Sequence, residues 1–429
     1  MEKKILKSRT GDSCVYIKHK SGLDVYVCEM EGFSTVDALF GTKYGSINTM
    51  FKTNEDKEYT TVPEGIAHFL EHKLFENEDC DVFDLYAKTG ANANAFTSFD
   101  KTCYLFNCSK NFKESLEILL NFVQKPYFTA ESVEKEQGII GQEIKMCDDN
   151  PDWRVFFNLL NCLYKNHPVK IDIAGTVESI AKIDADLLYK CYYTFYNLNN
   201  MVLSVAGNVK VDEVLEICDR CLKPCEDKGL ETIFPEEPDC IVKSEITENQ
   251  PVGTPLFNIG FKCKPKKGIE LYKADVCANI FGSLLSESSS KFYQKLLEKG
   301  IINSTFSDES FSGDGYFVLI FGGSSNSPFE VRDEIMNEIE RIKSEGIDEK
   351  QFNRVKKSFY GDYIRRFNNV EAVANMMINA HMDSVSPYDE IEILSDLTSE
   401  DVMNFIKSDI LPENLAISVI RNQDNNADE

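Results

Sequence analysis

The same succession of strand-like and helix-like segments occurs twice along this 429-residue chain. In each half, strand-like runs come first, several segments with a 3.6-residue apolar period follow, and a strand-like run closes the half. Strand-like runs separated by several helix-like segments favour an α+β fold, because an α/β fold would show strict alternation of strand and helix. The pattern therefore predicts two similar halves, each an antiparallel sheet covered by helices on one face. The predicted strands are 23–29, 36–47, 94–107, 201–205, 256–263, 315–321 and 415–420. The predicted helices begin near Pro63 and cover 113–125, 130–147, 152–165, 177–195, 210–222, 270–285, 288–299, 328–345, 349–366 and 369–382.

A polar segment punctuated by proline separates these two halves. It contains Lys223-Pro224-Cys225-Glu226-Asp227-Lys228-Gly229 and then Pro235-Glu236-Glu237-Pro238. Such a composition is typical of a linker. We therefore predict an N-terminal half at 1–225, a linker at 226–240 and a structurally similar C-terminal half at 241–429.

Charge and composition exclude several classes of function. The formal net charge is −25, which argues against binding to a nucleic-acid backbone. No stretch approaches the ~18 uninterrupted apolar residues that a membrane span needs, and the first residues lack the apolar region of a secretory signal. The 14 cysteines lie at irregular spacings, as in proteins of a reducing compartment. We expect a cytoplasmic protein with neither nucleic acid nor membrane as a partner.

The segment His68-Phe69-Leu70-Glu71-His72 is the sharpest chemical signal. On a helix, His68 and His72 are one turn apart on the same face, so both imidazoles can bind one Zn²⁺. Glu71 can reach a water at that site without being a ligand. His-x-x-Glu-His in this order is the inverzincin signature. We expect Pro63 to lie in the first helical turn, with Thr60 or Thr61 as the cap, and Ile66, Phe69, Leu70 and Leu74 to form the buried stripe.

A catalytic zinc site needs a third protein ligand and one open position. The candidates are Glu136 and Glu143, on a predicted helix capped near Thr129. They are seven residues apart, which places both carboxylates on one helix face, with Ile140 between them. One could bind the metal while the other supports a histidine. The spacing alone does not choose between them.

The segment from Gly90 to Thr97 has a different character. Small residues lead into an aromatic and β-branched end, which favours an exposed edge strand to which an extended peptide could add. An ordinary hairpin is the alternative.

Nearly the whole chain resembles the M16 metallopeptidases, the pitrilysin-like family that includes insulin-degrading enzymes and mitochondrial processing peptidase. It is most similar to bacterial M16B-type proteins of single length. In that family the distal zinc ligand is a Glu seventy-odd residues after the second His, and a further functional Glu lies seven residues before it. The resemblance implies Glu143 as ligand, Glu136 beside Glu71 as a catalytic-site carboxylate, a shortened loop near 77–81, and a clamshell formed by the halves. It also implies that the substrate adds as a strand at Asn94, Ala95 and Phe96, with Asn94 and Ala95 offering main-chain contacts. The motifs are His68 to His72, Gly90 to Thr97, Glu134 to Glu143, Asn150-Pro151 and Ala174-Gly175-Thr176.

One departure from the family concerns the C-terminal half, which also lacks a metal motif. Many M16 enzymes supply from this half an Arg and a Tyr, seven residues apart, that bind the substrate carbonyl. The matching region, 289–304, contains no such pair. A second M16-like subunit carrying the pair would complete the site, as in the paired subunits of the processing peptidases.

The sequence thus predicts a zinc-dependent endopeptidase that cleaves peptides or unfolded segments inside a closed chamber, as a homodimer or a heterodimer. The alternative is a non-catalytic or partner-dependent peptide-binding subunit of a heterodimeric assembly. Other candidates are weaker. Cys218, Cys221 and Cys225 have the spacing of one buried helix stripe, and His167 beside Pro168 is typical of a turn. The glycine pairs near 313–323 lack the spacing of a phosphate-binding loop.

Overall fold

A computed structural model describes residues 2–78 and 81–422 of the chain. Of the loop predicted to be shortened, near 77–81, residues 79 and 80 lie outside this described part. The chain forms two compact units. The first comprises Met1–Ile144, Ile171–Phe234 and Tyr363–Tyr388, and the second comprises Lys145–Lys170, Pro235–Asp362 and Asp389–Glu429.

Strands and helices are numbered separately in chain order. The strands are β1 (Glu2–Lys7), β2 (Ser13–Lys18), β3 (Asp24–Glu29), β4 (Val36–Thr42), β5 (Met50–Lys52), β6 (Thr60–Thr61), β7 (Asn92–Thr97), β8 (Thr102–Cys108), β9 (Met201–Gly207), β10 (Glu231–Thr232), β11 (Glu245–Asn249), β12 (Leu256–Lys262), β13 (Ser307–Gly313), β14 (Tyr316–Ser324) and β15 (Leu415–Arg421). The helices are α1 (Ile66–Leu74), α2 (Val82–Thr89), α3 (Phe112–Phe122), α4 (Ala130–Asp148), α5 (Pro151–Leu163), α6 (Val177–Ile180), α7 (Ala185–Phe195), α8 (Val211–Cys221), α9 (Gly268–Ser286), α10 (Lys291–Glu298), α11 (Pro328–Glu345), α12 (Glu349–Arg366), α13 (Val370–Met382), α14 (Asp389–Asp396) and α15 (Ser399–Asp409).

Each unit is built on one large sheet. In the first unit the strand order is β1-β2-β3-β9-β4-β8-β7, and in the second it is β11-β15-β12-β14-β13. The pairs are antiparallel except for β3 with β9 and β11 with β15, which are parallel. The five strands β3-β9-β4-β8-β7 and the five strands of the second sheet therefore share one order and one pattern of directions. The predicted α+β fold with two similar halves is confirmed. Two details of that prediction are wrong, because each sheet contains one parallel pair and the first sheet has helices against both faces rather than one.

The first sheet has helices against both of its faces. Ala38 and Phe40 of β4 belong to the core shared with α1, α3, α7 and α8. Gly41, on the opposite face of β4, has Ile378 and Met382 of α13 as close neighbours. All seven residues of β4 and of β9 are buried, and a strand that is apolar on both faces needs cover on both. Helix α13, from the far end of the chain, supplies the second cover.

The second sheet receives a helix from the first half in the same way. Helix α5 packs along β12 and β15, and a Cβ on Gly260 of β12 would lie 2.8 Å from Leu159 of that helix. Helices α5 and α13 hold the same place in the repeat, since each follows one of the long helices, α4 or α12. The two halves have thus exchanged equivalent helices.

This exchange differs from the predicted division into contiguous halves at 1–225 and 241–429. The chain does pass from the first to the second unit inside the predicted linker, between Phe234 and Pro235, but 145–170 and 363–388 each belong to the other unit. The physical reason is that the apolar face of each exchanged helix covers a sheet made by the other half.

Within 2–78 and 81–422, no helix combines the length and the apolarity required to cross a membrane.

Candidate metal centre

Helix α1 begins at Ile66, three residues later than the predicted start at Pro63. Gly65 precedes it in the left-handed conformation (φ 86°) with no side-chain cap, and the expected caps, Thr60 and Thr61, form β6 instead. A Cβ on Gly65 would lie 2.3 Å from the carbonyl oxygen of Ala174, so close backbone packing fixes where the helix starts. The predicted buried stripe of Ile66, Phe69, Leu70 and Leu74 is confirmed.

The two histidines of α1 project together toward a carboxylate of α4. Their ring centroids are 4.6 Å apart. The Nε2 atom of His68 lies 3.7 Å from one carboxylate oxygen of Glu143, and the Nε2 atom of His72 lies 3.6 Å from the other. One donor atom from each of these three residues lies within 4.8 Å of the other two. The structure therefore brings His68, His72 and Glu143 to a common centre.

Glu136 lies on the same face of α4 as Glu143, but its carboxylate takes a different position. Its carboxylate lies 3.0 Å from Nδ1 of His72, on the side of the ring away from Glu143. Ile140, between the two glutamates, is fully buried and anchors this face of the helix. The start of α4 is capped as expected, since the Ser132 N–H donates to the Thr129 hydroxyl (3.1 Å).

This donor set fits zinc. Two imidazole nitrogens and one carboxylate are the ligands of known catalytic zinc sites that keep an open position, and ligands at about 2.1 Å from a tetrahedral ion stand about 3.4 Å apart. The separations of 3.6 and 3.7 Å between Glu143 and the two Nε2 atoms are close to this value. A carboxylate on Nδ1 of a ligating histidine is also the usual orienting contact, because it fixes Nε2 as the nitrogen that faces the metal.

The histidines differ in their electrostatic surroundings. Burial, with a smaller contribution from His72, lowers the pKa of His68 to about 4, so its imidazole is neutral near pH 7 and can donate a lone pair. For His72, burial acts to lower the pKa, but the Glu136 hydrogen bond and the nearby carboxylates outweigh it and the net shift is upward. Among the described residues, none hydrogen-bonds to Nδ1 of His68.

Glu71 lies beside this centre without joining the donor set. Its Oε2 accepts a hydrogen bond from the Thr97 hydroxyl (2.9 Å). Burial raises the pKa of Glu71, although Thr97 and His72 act in the opposite direction. A carboxylate with a raised pKa is a stronger base than one in water, and this is the property that general-base catalysis requires.

The strand β7, which carries Asn94, Ala95 and Phe96, is the last strand of the first sheet. It pairs with β8 on one side, with Ala95 opposite Tyr104, and within the described residues no strand pairs with its other side. The Ala95 N–H donates to the side-chain oxygen of Asn94 (2.9 Å), so it does not donate to β8. The structure thus has the edge strand that the sequence predicted; substrate binding by these residues stays a prediction.

The other sequence candidates have structural roles. His167 is buried in the second unit, where Nδ1 accepts the Val169 N–H and Nε2 donates to the Asp314 carbonyl. Cys218 is fully buried on α8, Cys221 is half-buried, and Cys225 is exposed. The region 289–304, which contains no Arg and Tyr seven residues apart, includes helix α10. Leu297 of this helix is exposed, and beyond it the side chain of Asn303 hydrogen-bonds with Thr305 and Ser324.

Two residues near the centre were not foreseen from the sequence. Thr97 bonds to Glu71, and Lys73 is completely buried beside His72, where its ammonium group pairs with Glu76 and lies 3.5 Å from the Ser132 carbonyl. The alternation of a strand offered a signal for Thr97, because its side chain lies on the same face of the sheet as that of Ala95. The sequence contains no comparable pattern to indicate that Lys73 is buried.

Comparison with known proteins finds matches along most of the chain. Residues 55–177 match the family model for insulinase, peptidase family M16, and residues 182–359 match the model for the peptidase M16 inactive domain. The uncharacterised zinc protease YmfH of Bacillus subtilis is 40% identical over 422 residues, which cover 97% of this chain and 98% of that protein. A crystal structure of an M16-like peptidase from Alicyclobacillus acidocaldarius is 31% identical with a TM-score of 0.91 and covers 98% of both chains. A probable β subunit of the mitochondrial-processing peptidase of Schizosaccharomyces pombe is 28% identical over 206 residues, 47% of this chain and 43% of that protein.

Proposed function

The chain belongs to the M16 family of peptidases, and on that premise we propose that it is a zinc-dependent endopeptidase of peptides or unfolded segments. One observation carries the proposal. His68, His72 and Glu143 place three zinc-type donor atoms within 4.8 Å of one another, and the half-buried Glu71 lies beside them. The zinc proteases among its relatives support the same reading.

In this proposal each residue has a distinct task. The Nε2 atoms of His68 and His72 and the carboxylate of Glu143 hold the ion, while Glu136 orients the ring of His72 through Nδ1 (3.0 Å). Zinc, when bound by such a set, lowers the pKa of a water in its open position to about 7 and polarises the peptide carbonyl. Glu71 would take one proton from a water whose oxygen bonds to the peptide carbonyl carbon, and would pass that proton to the amine nitrogen as the carbon–nitrogen bond breaks.

The edge strand β7 is the proposed place for the peptide. An extended segment pairing with its outer side would gain main-chain hydrogen bonds that depend little on sequence. The Asn94 side chain occupies the Ala95 N–H in the free protein, so an arriving carbonyl would displace that amide. The Asn94 amide thus protects the edge strand against unwanted pairing.

The test is whether the purified chain binds zinc and cleaves a quenched fluorogenic peptide. We expect one equivalent of zinc per chain, loss of cleavage on chelation, and recovery on adding zinc back. A chain that stays metal-free after loading with zinc would contradict the proposal, and so would cleavage that a chelator leaves unchanged.

We predict a graded effect for Glu136→Gln. The amide can still accept the Nδ1 hydrogen of His72, but without charge, so the affinity for zinc should fall by about 10- to 100-fold. Competition with a chromogenic chelator measures this change. Glu131→Gln is the control on the same helix, because Glu131 is exposed, and its zinc affinity should equal that of the wild type.

A second candidate function rests on the region 289–304. It contains no Arg and Tyr seven residues apart, and Leu297 is exposed there. We propose as the alternative that this chain is a partner-dependent or non-catalytic peptide-binding subunit that needs a second M16-like chain to supply that pair. The cleavage assay with and without such a chain separates the two functions. The closed chamber, the dimeric state and the cytoplasmic location remain predictions from the sequence.

A further inference from the structure

The Thr97 hydroxyl links the edge strand to the half-buried carboxylate of Glu71 beside the metal centre. Its Oγ1 lies 2.9 Å from Oε2 of Glu71. Thr97 is the last residue of β7, opposite Thr102 of β8. The contact therefore joins two elements with separate tasks in the proposed function: the strand on which a peptide would lie and the helix that carries the base.

The direction of this hydrogen bond is set by a neighbour. The Thr102 hydroxyl donates to the Tyr44 carbonyl (2.8 Å), so its single hydrogen is already used. The contact between the two threonine hydroxyls is long, at 3.3 Å. Because Thr102 cannot donate to it and an ionised carboxylate can only accept, the Thr97 hydroxyl donates to Glu71.

This bond restrains a torsion that is otherwise soft. The terminal torsion of glutamate is broad and roughly two-fold, so a carboxylate without a partner can rotate. Thr97 holds this carboxylate through its hydroxyl on Oε2 and through its backbone N–H, and only the hydroxyl depends on the identity of the side chain. A general base must lie within hydrogen-bond reach of the proton it removes, and a small misplacement of a reacting group costs rate.

We propose that Thr97 is a positioning residue, whose hydroxyl orients the carboxylate of Glu71 relative to a peptide paired along β7. The proposal rests on the proposed endopeptidase function, in which Glu71 is the base. It assigns to Thr97 a role in turnover rather than in zinc binding, since among the described residues its hydroxyl contacts Glu71 and Thr102 and not His68, His72 or Glu143.

The experiment compares Thr97→Val with Thr97→Ser in the full, zinc-loaded chain. Valine keeps the shape and removes the hydroxyl, and serine keeps the hydroxyl. We expect Thr97→Val to lower kcat by about 10- to 100-fold with KM and zinc content little changed, and Thr97→Ser to retain most of the activity. Thr42→Val is the matched control, because Thr42 is a fully buried threonine whose hydroxyl donates to the Phe195 carbonyl (2.7 Å); its kcat should be close to that of the wild type.

Two further measurements separate this inference from the proposed function. In a Glu71→Gln background, Thr97→Val should cause no additional loss of kcat, because the base that it orients is already absent. Crystal structures do not depend on activity: we expect one Glu71 carboxylate conformer in the wild type and a rotated or divided one in Thr97→Val. An unchanged Glu71 conformer in Thr97→Val overturns the inference, as does equal kcat in Thr97→Val and the wild type. Absence of zinc-dependent cleavage in the wild type would instead overturn the proposed function, while the crystal structures still decide the role of Thr97.

Discussion

Replacing Glu71 by glutamine should abolish most of the cleavage and leave the zinc in place. Loss of a general base typically costs 10²- to 10⁴-fold in rate, or about 3 to 5 kcal/mol of transition-state stabilisation. Glutamine has nearly the same shape as glutamate and can still accept the Thr97 hydrogen bond. It has no basic carboxylate, however, and cannot take a proton from water. Because Glu71 lies outside the His68, His72 and Glu143 set, the stoichiometry of zinc should stay at one per chain.

The measurement combines cleavage of a quenched fluorogenic peptide with elemental analysis of the same preparation. Glu134→Gln provides the control, because Glu134 is an exposed glutamate on α4 and its change should leave both values as in the wild type. Equal cleavage by Glu71→Gln and the wild type would show that the activity comes from a contaminant. Loss of zinc in Glu71→Gln would show instead that Glu71 belongs to the ligand set.

The periodic segments of the fold were predictable because their physical signal is local. The strands around 36–42 and 201–207 are predominantly apolar, and α1 has its buried stripe at helical spacing. Strand β13 was missed because its sequence, Ser307-Asp308-Glu309-Ser310-Phe311-Ser312-Gly313, shows little apolar alternation. It forms at the edge of the sheet because β14 supplies a paired neighbour. Propensity is a weak guide where tertiary pairing decides.

The exchange of α5 and α13 had no such local signal. Each helix has the apolar face that any packed helix shows, and nothing in that face tells which sheet it covers.

At the metal centre, too, the local sequence does not decide which residue takes which position. The spacing of Glu136 and Glu143 placed both on one face of α4, but only the position of α4 beside α1 puts Glu143 near both Nε2 atoms and Glu136 on Nδ1 of His72.

The start of the metal-binding helix depends on two glycines packed against each other, and Gly65→Ala should destabilise the chain strongly. Gly65 has φ 86°, and a Cβ there would lie 2.3 Å from the Ala174 carbonyl oxygen; Gly175 has φ 75°, and its Cβ would lie 2.6 Å from the Glu64 carbonyl oxygen. A left-handed alanine costs about 1 to 3 kcal/mol, and overpacking adds a similar amount. We therefore expect a loss of about 3 to 5 kcal/mol in the free energy of unfolding, together with weaker zinc binding.

A second glycine separates the two causes of this loss. Gly32 has φ 89°, almost the angle of Gly65, but a Cβ there would meet nothing within 4 Å among the described residues. Gly32→Ala carries only the backbone term and should cost about 1 kcal/mol. Urea unfolding followed by far-UV circular dichroism compares the variants, and a metal titration follows the site. The single tryptophan, Trp153, lies in α5 of the second unit, so its fluorescence reports whether the damage extends beyond the first. Equal unfolding midpoints for Gly65→Ala and Gly32→Ala would mean that the backbone yields at Ala174, and that the glycine pair does not fix where α1 begins.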